Sequence, residues 1–164
     1  MTLERDTGVQ VRDGNADELD ALARLWFDAW QDGHRAVVPA ALARVRTLES
    51  FRARLSAALS SVRVVGPEGA PVGFCIIKDD ELYQLFVDRS ARGTGVAAAL
   101  LADGEARLRA NGVRTAWLAC AIGNDRAARF YEKSGWCRTG TITSRLETIA
   151  GVFLLDVWRY EKTL

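Results

Sequence analysis

Arg92-Gly93-Thr94-Gly95-Val96-Ala97 joins a cation, two glycines and the start of an apolar helical pattern. A turn of this make-up can hold a phosphate. The first N–H groups of a helix have no carbonyl partner, and glycine admits a ligand close to the backbone. The aligned peptide dipoles favour negative charge at that end, so a diphosphate is the guest this chemistry implies. A P-loop is excluded, because no Lys-Ser or Lys-Thr follows either glycine. Gly93-Thr94-Gly95-Val96-Ala97-Ala98 has the glycine spacing of a dinucleotide fingerprint. The acid that fingerprint needs about 20 residues later is missing from Val113-Arg114-Thr115-Ala116-Trp117, which disfavours a nicotinamide enzyme.

A second constellation runs from Asn124 to Trp136, NDRAARFYEKSGW. Read locally, Asn124 is a helix N-cap, and Ala127, Phe130, Tyr131 and Ser134 form a core stripe. Together with Arg92-x-x-Gly95-x-Ala97, however, the segment resembles the general amine N-acetyltransferase (GNAT) superfamily. The first motif matches that family's [Q/R]xxGx[G/A], and the second its NxxAxxFYxxxGF segment with Trp136 in place of Phe. The resemblance implies that acetyl-CoA is the co-substrate and that the amides of Arg92, Gly93, Thr94, Gly95, Val96 and Ala97 hold its diphosphate. It further implies that Leu85, Phe86 and Val87 belong to the family's fourth strand beside the pantetheine arm. Asn124 is then expected to contact that arm, and the Tyr131 hydroxyl to lie near the thioester sulfur.

Acetyl transfer to an amine makes definite demands. A primary amine with a pKa of about 10.4 is neutral in only about one molecule in a few thousand at pH 7, so a base or a desolvating site must supply the neutral form. The developing oxyanion needs an N–H donor, for which the backbone of Val87 is the candidate. The departing thiolate needs a donor too, and Tyr131 is the candidate. Glu81, eleven residues before Arg92, stands where some protein-lysine acetyltransferases of the superfamily carry a catalytic glutamate. Its other reading is a solvated charge beside Asp79 and Asp80, with a water chain as the base. The acceptor pocket of such a protein is expected from the first two helices and the last strands. Trp26 and Trp30 read as core, His34 as a loop residue on the surface or a second base, and Cys120 as a buried small residue. Arg44, Arg46, Arg52 and Arg54 read as a solvated helix face, with an acidic acceptor as the alternative.

These residues need elements to position them. Leu82 to Val87 reads as a buried strand, and the pattern after Gly95 as a helix with Val96, Leu100 and Leu108 on one side. Elsewhere the sequence implies strands at Val9 to Arg12, Val62 to Val65, Val72 to Ile77, Thr115 to Ala121, Cys137 to Thr143 and Val152 to Tyr160. Helices are expected over Ala16 to Gln31, stopped by Asp32-Gly33, from about Pro39 through Leu55, and over Asp125 to Ser134. This order, β-α-α-β-β-β-α-β-α-β-β, is that of the GNAT fold. It implies an α/β (α+β) architecture with a mixed, mostly antiparallel sheet of about seven strands and four helices.

The 164 residues suit one domain, 1–164, with one sizeable core. A net charge of +1 gives no electrostatic ground for a nucleic-acid or membrane partner. Three cysteines without a CxxC pair, and one histidine, offer no metal-site spacing. The start of the chain lacks the apolar core of a signal peptide, so a reduced, cytoplasmic setting is expected. The expected activity is transfer of acetyl from acetyl-CoA to an amine on a small molecule, with a homodimer possible. A CoA-binding sensor or scaffold of the same fold is the alternative, and a protein N-terminal or lysine acetyltransferase a further one.

Overall fold

The computed structural model describes residues 8–164. Seven strands form one sheet in the order β1-β2-β3-β4-β5-β7-β6. They are β1 (Arg12–Asp13), β2 (Val62–Val65), β3 (Gly73–Lys78), β4 (Glu81–Val87), β5 (Thr115–Ala121), β6 (Cys137–Thr148) and β7 (Gly151–Thr163). All neighbours are antiparallel except β4 and β5. Five helices flank the sheet: α1 (Leu19–His34), α2 (Ala40–Val45), α3 (Leu48–Ala57), α4 (Val96–Ala110) and α5 (Asp125–Lys133). The mixed, mostly antiparallel sheet is the one the sequence implies.

Alternation along the strands divides the core between the two faces of the sheet. Val62, Val64, Phe74 and Ile76 pack with Leu22, Trp26 and Trp30 of α1 and with Phe51 and Leu55 of α3. Val65, Cys75, Ala116, Leu118, Cys120 and Tyr160 pack on the opposite face with Leu100, Leu101 and Leu108 of α4 and Ala128 of α5. Helix α4 lies close to the sheet because Gly104 faces it: a Cβ there would stand 2.7 Å from Leu82 Cδ1. Trp26 is the centre of the α1 side, its ring 4.7 Å from that of Phe51 and 5.3 Å from that of Phe74.

One register shift decides which side chains of β4 meet which face. Gln84 pairs with Ile76 but Leu82 with Ile77, so Tyr83 is an extra residue on β4. Leu82 and Leu85, three apart, therefore both reach the α4 face, while Tyr83 and Phe86 both reach the α1 face. Period-2 alternation alone would have turned one member of each pair the wrong way.

Four expectations need correction. The first strand is Arg12–Asp13 rather than Val9 to Arg12. Helix α1 does not stop at Asp32-Gly33 but continues to His34, which is thus helical and not in a loop. A mid-helix glycine costs only about 1 kcal/mol, and the His34 ring stacks on Trp30 at 5.5 Å with planes 4° apart. The helical region after Pro39 breaks in two, because Thr47 caps α3 by accepting the Ser50 N–H at 3.1 Å. The arginine face is not uniformly solvated: Arg44 and Arg52 are exposed, whereas Arg46 is buried.

Candidate active site

The glycine turn leads directly into α4. Gly93 and Gly95 adopt φ of +75° and +87°, a region that L side chains rarely enter, and Gly95 caps the helix. The first α4 amide to find a helical carbonyl is that of Ala99, which donates to Gly95 at 3.0 Å. The amides of Val96, Ala97 and Ala98 thus point out of the helix end without an intrahelical acceptor. Thr94 donates through its hydroxyl to the Ala91 carbonyl and pins the turn from behind. Three guanidinium groups gather at this end around one carboxylate. Asp32 accepts from Arg92, with Arg126 at 3.6 Å and Arg89 at 3.9 Å. Arg92 is the largest cause holding the Asp32 carboxyl below its usual range. Asp88 stands near Arg92 as a further carboxylate, so it is the open amides that favour an anion at this end.

From the turn a cleft of about 420 Å³ runs between β4 and β5. These two strands pair only at Glu81 and Trp117 and then diverge. The Asp88 N–H donates to Val72 at 2.8 Å, towards the β3 side. Strand alternation then directs the N–H and C=O of Val87 and Leu85 into the gap, where no ladder partner stands. The cleft is lined by Tyr83 to Val87 on one wall and Ala119 to Ala121 on the other. Arg92, Gly93, Gly95, Val96, Ala97, Asn124 and Tyr131 border it as well, so most of the residues singled out in the sequence meet in one place. Two do not line it: Thr94, which supports the turn, and Glu81.

Asn124 accepts the Ala127 N–H at 3.4 Å, as an N-cap, and still borders the cleft. The capping and ligand-facing readings of this residue are compatible. Tyr131 packs among Phe130, Trp136 and Tyr160, with ring centroids 5.4, 6.3 and 6.3 Å away. Burial drives its phenol above the usual range, with Cys120 and Cys75 adding to the effect, so it remains a neutral donor. Burial likewise pushes the Cys120 thiol up to about 11, which leaves it protonated and a poor nucleophile near pH 7.

Glu81 stands at the closed end of the gap. Leu82 points to the α4 face, so alternation sends Glu81 to the face shared with Tyr83. Burial pushes its carboxyl up to about 7; Lys78 and Arg159 oppose this, while Asp80 and Asp79 add to it. A carboxyl with that pKa is half ionised near neutrality, the range a general base requires. His34 lines the cleft on the α1 side. Burial and the charge of Arg46 push its imidazole down to about 4, so it is neutral at pH 7.

Sequence reasoning missed Asp32 and Tyr83. Asp32 is 60 residues from Arg92, and no local pattern joins them. Tyr83 reads as one more apolar strand residue until the extra residue on β4 is seen. Alternation interrupted by three-residue spacing of Leu82 and Leu85 is the signal that could have located it.

Fold and cleft define an α/β protein whose strand gap opens from a helix end with unpartnered amides. Residues 19–136 match the Acetyltransferase (GNAT) family, and the chain belongs to that family. It is 32% identical over 146 residues to an uncharacterized N-acetyltransferase of Mycobacterium tuberculosis, covering 80% of this chain and 89% of that protein. The same figures hold for an uncharacterized N-acetyltransferase of Mycobacterium bovis. A GCN5-related N-acetyltransferase from Rhodopseudomonas palustris superposes with a TM-score of 0.74 at 20% identity, covering 95% of this chain and 96% of that one. YncA from Salmonella typhimurium, solved with its cofactor acetyl-CoA, superposes with a TM-score of 0.68 at 16% identity, covering 95% of this chain and 94% of that one. At these identities the structures establish the shared fold. No helix among the described residues is long and apolar enough to cross a membrane.

Proposed function

We propose that this protein transfers the acetyl group of acetyl-CoA to an amine on a small molecule. The observation that carries this reading is the continuity of the cleft: open helix amides at one end lead into unladdered β4 backbone, with the Tyr131 phenol in the wall. The amides of residues 96–98, with Arg92 and Arg126, suit the diphosphate. The exposed backbone of Leu85 and Val87 suits the amide groups of the pantetheine arm as an added strand would. Asn124 flanks that arm.

In this arrangement the thioester carbonyl lies near the Val87 N–H, which meets the oxyanion formed as the amine attacks. The C–S bond then breaks, and the electron pair goes to sulfur. Tyr131 donates a hydrogen bond to that sulfur. Glu81, through water because it does not border the cleft, takes the proton released by the amine. The single sheet and its two packed faces support reading residues 1–164 as one catalytic domain. Calorimetry with acetyl-CoA, followed by thiol release across an amine panel, tests the proposal. Micromolar binding with amine-dependent release is expected. Binding without release from any amine would make the protein a CoA sensor instead, and absent binding would overturn both.

A further inference from the structure

Large apolar side chains gather at one extremity of the sheet. Ile149, Val152 and Leu154, on the β6–β7 ribbon, are 97%, 44% and 68% exposed. That ribbon outruns the rest of the fold. Strand β7 has β5 beside it only from Val157 to Thr163, whereas it pairs with β6 all the way from Gly151. The stretch from Thr143 to Asp156 is therefore two strands alone, an arrangement that is marginal in water until more strands join it. Its other face is apolar too. Leu146 pairs with Phe153, and neither belongs to the packed core on either side of the sheet.

Strand β6 is the last of the sheet, so one of its edges is open. The usual protections of an edge are absent where the ribbon stands free: the bulge lies back at Arg138 to Gly140, and no proline or lysine occurs from Thr141 to Thr148. The loop fixes which groups the edge offers. Thr148 pairs with Gly151 across only Ile149 and Ala150, and the pair flanking a two-residue loop is hydrogen-bonded. By alternation Ser144, Leu146 and Thr148 turn their N–H and C=O to β7, while Thr143, Arg145 and Glu147 turn theirs to the open edge. Arg145 and Glu147 are both exposed, and neither has an ion pair within 4.0 Å among the described residues.

We propose that this protein forms a homodimer by antiparallel pairing of β6 with β6 of a second copy, about a two-fold axis at Leu146. The inference goes beyond acetyl transfer and does not depend on it. Charge complementarity selects the occupant and the register. With Leu146 opposite the partner's Leu146, Arg145 meets the partner's Glu147 and Glu147 meets the partner's Arg145. These are the residues whose backbone groups face outward, so the same register joins the edge amides. Moving the axis one residue either way would set Arg145 or Glu147 against its own copy. On the other face, Phe153, Leu146, the partner's Leu146 and the partner's Phe153 become one apolar row across four strands. Ser144 opposite the partner's Thr148 completes a pairing of ordinary strand length.

Sedimentation equilibrium at micromolar concentration should give twice the chain mass for the wild type. Arg145→Glu turns two attractive pairs into repulsive ones and should raise the dimer dissociation constant roughly tenfold or more, whereas Arg145→Glu with Glu147→Arg should return it to within about threefold of the wild type. Both side chains are exposed, so far-UV circular dichroism should not change. The register is read by oxidation in a Cys137→Ser background, which removes the exposed native thiol. Residues facing each other between hydrogen-bonded pairs have Cα atoms about 4.5 Å apart, within disulfide reach. Leu146→Cys should therefore cross-link to a dimer, and Ser144→Cys, offset from its own copy, should not. A monomeric wild type would overturn the proposal and leave the edge to a different partner. A dimer that Arg145→Glu does not weaken, or that position 146 does not cross-link, would overturn it equally, because that dimer uses another surface.

Discussion

A phenol held above its usual pKa inside an apolar packet cannot be an effective source of a whole proton, but it can offer a hydrogen bond. Tyr131→Phe removes that donor and keeps the ring packed against Trp136 and Tyr160. It should lower kcat by roughly 10²–10³ while changing acetyl-CoA affinity by less than about threefold, because the contact matters chiefly as charge develops on sulfur. Stopped-flow turnover beside calorimetry separates the two quantities, and an unchanged rate of the chemical step would leave Tyr131 as packing. Glu81 offers a different signature. With its carboxyl near 7, kcat/KM should rise across neutral pH as the base ionises. Glu81→Gln should lose that limb and recover part of its activity at high pH, where the amine deprotonates unaided. A profile parallel to that of the wild type would remove Glu81 from the proton path.

At the scale of elements, the β4–turn–α4 unit was legible because its signals are local. Apolar alternation, two glycines and a helical stripe lie within a short stretch, and each residue reports on its own backbone. The same holds for Asn124, whose cap is made with a residue three positions on. What was not legible depends on residues far apart. Gly33 looked like a stop, yet the stacking of His34 on Trp30 carries the helix through it. Arg46 looked like one of four surface arginines, and only its neighbours across the fold bury it. Two predictions belong here. Gly95→Val forces a β-branched residue into φ near +87° at the helix end, and should weaken acetyl-CoA binding at least tenfold, about 1.4 kcal/mol. Calorimetry on folded protein checks it, and an unchanged affinity would mean that the helix-end amides do not hold the diphosphate. Trp26→Ala empties the centre of the α1–α3 face and should cost roughly 3–5 kcal/mol in urea unfolding.

Over the whole molecule, two titrations oppose each other. The folded pKa of His34, about 4, lies below its ordinary 6.5, so the unfolded chain binds the extra proton between those values. Stability from this group is complete above about pH 6.5 and is lost as pH falls towards 4. Glu81 runs the other way: its folded value near 7 exceeds the ordinary 4.5, so its contribution is present below 4.5 and is lost as pH rises through 7. Between about 4.5 and 6.5 the two slopes offset, and the wild type should show a nearly flat Tm there. Glu81→Gln should tilt that plateau upward with pH, which scanning calorimetry in a buffer series would detect. An unaltered plateau would mean that one of these environments is misjudged. The parting of β4 from β5 carries a kinetic consequence of its own. One gap reaches both the open helix end and the α1 face, so on the proposed reading donor and acceptor can occupy it together. The one thiol in the cleft wall, Cys120, is held protonated and is unsuited to carrying the acetyl group between them. Direct transfer within a ternary complex follows, and double-reciprocal plots of initial rate at several acetyl-CoA concentrations should intersect rather than run parallel.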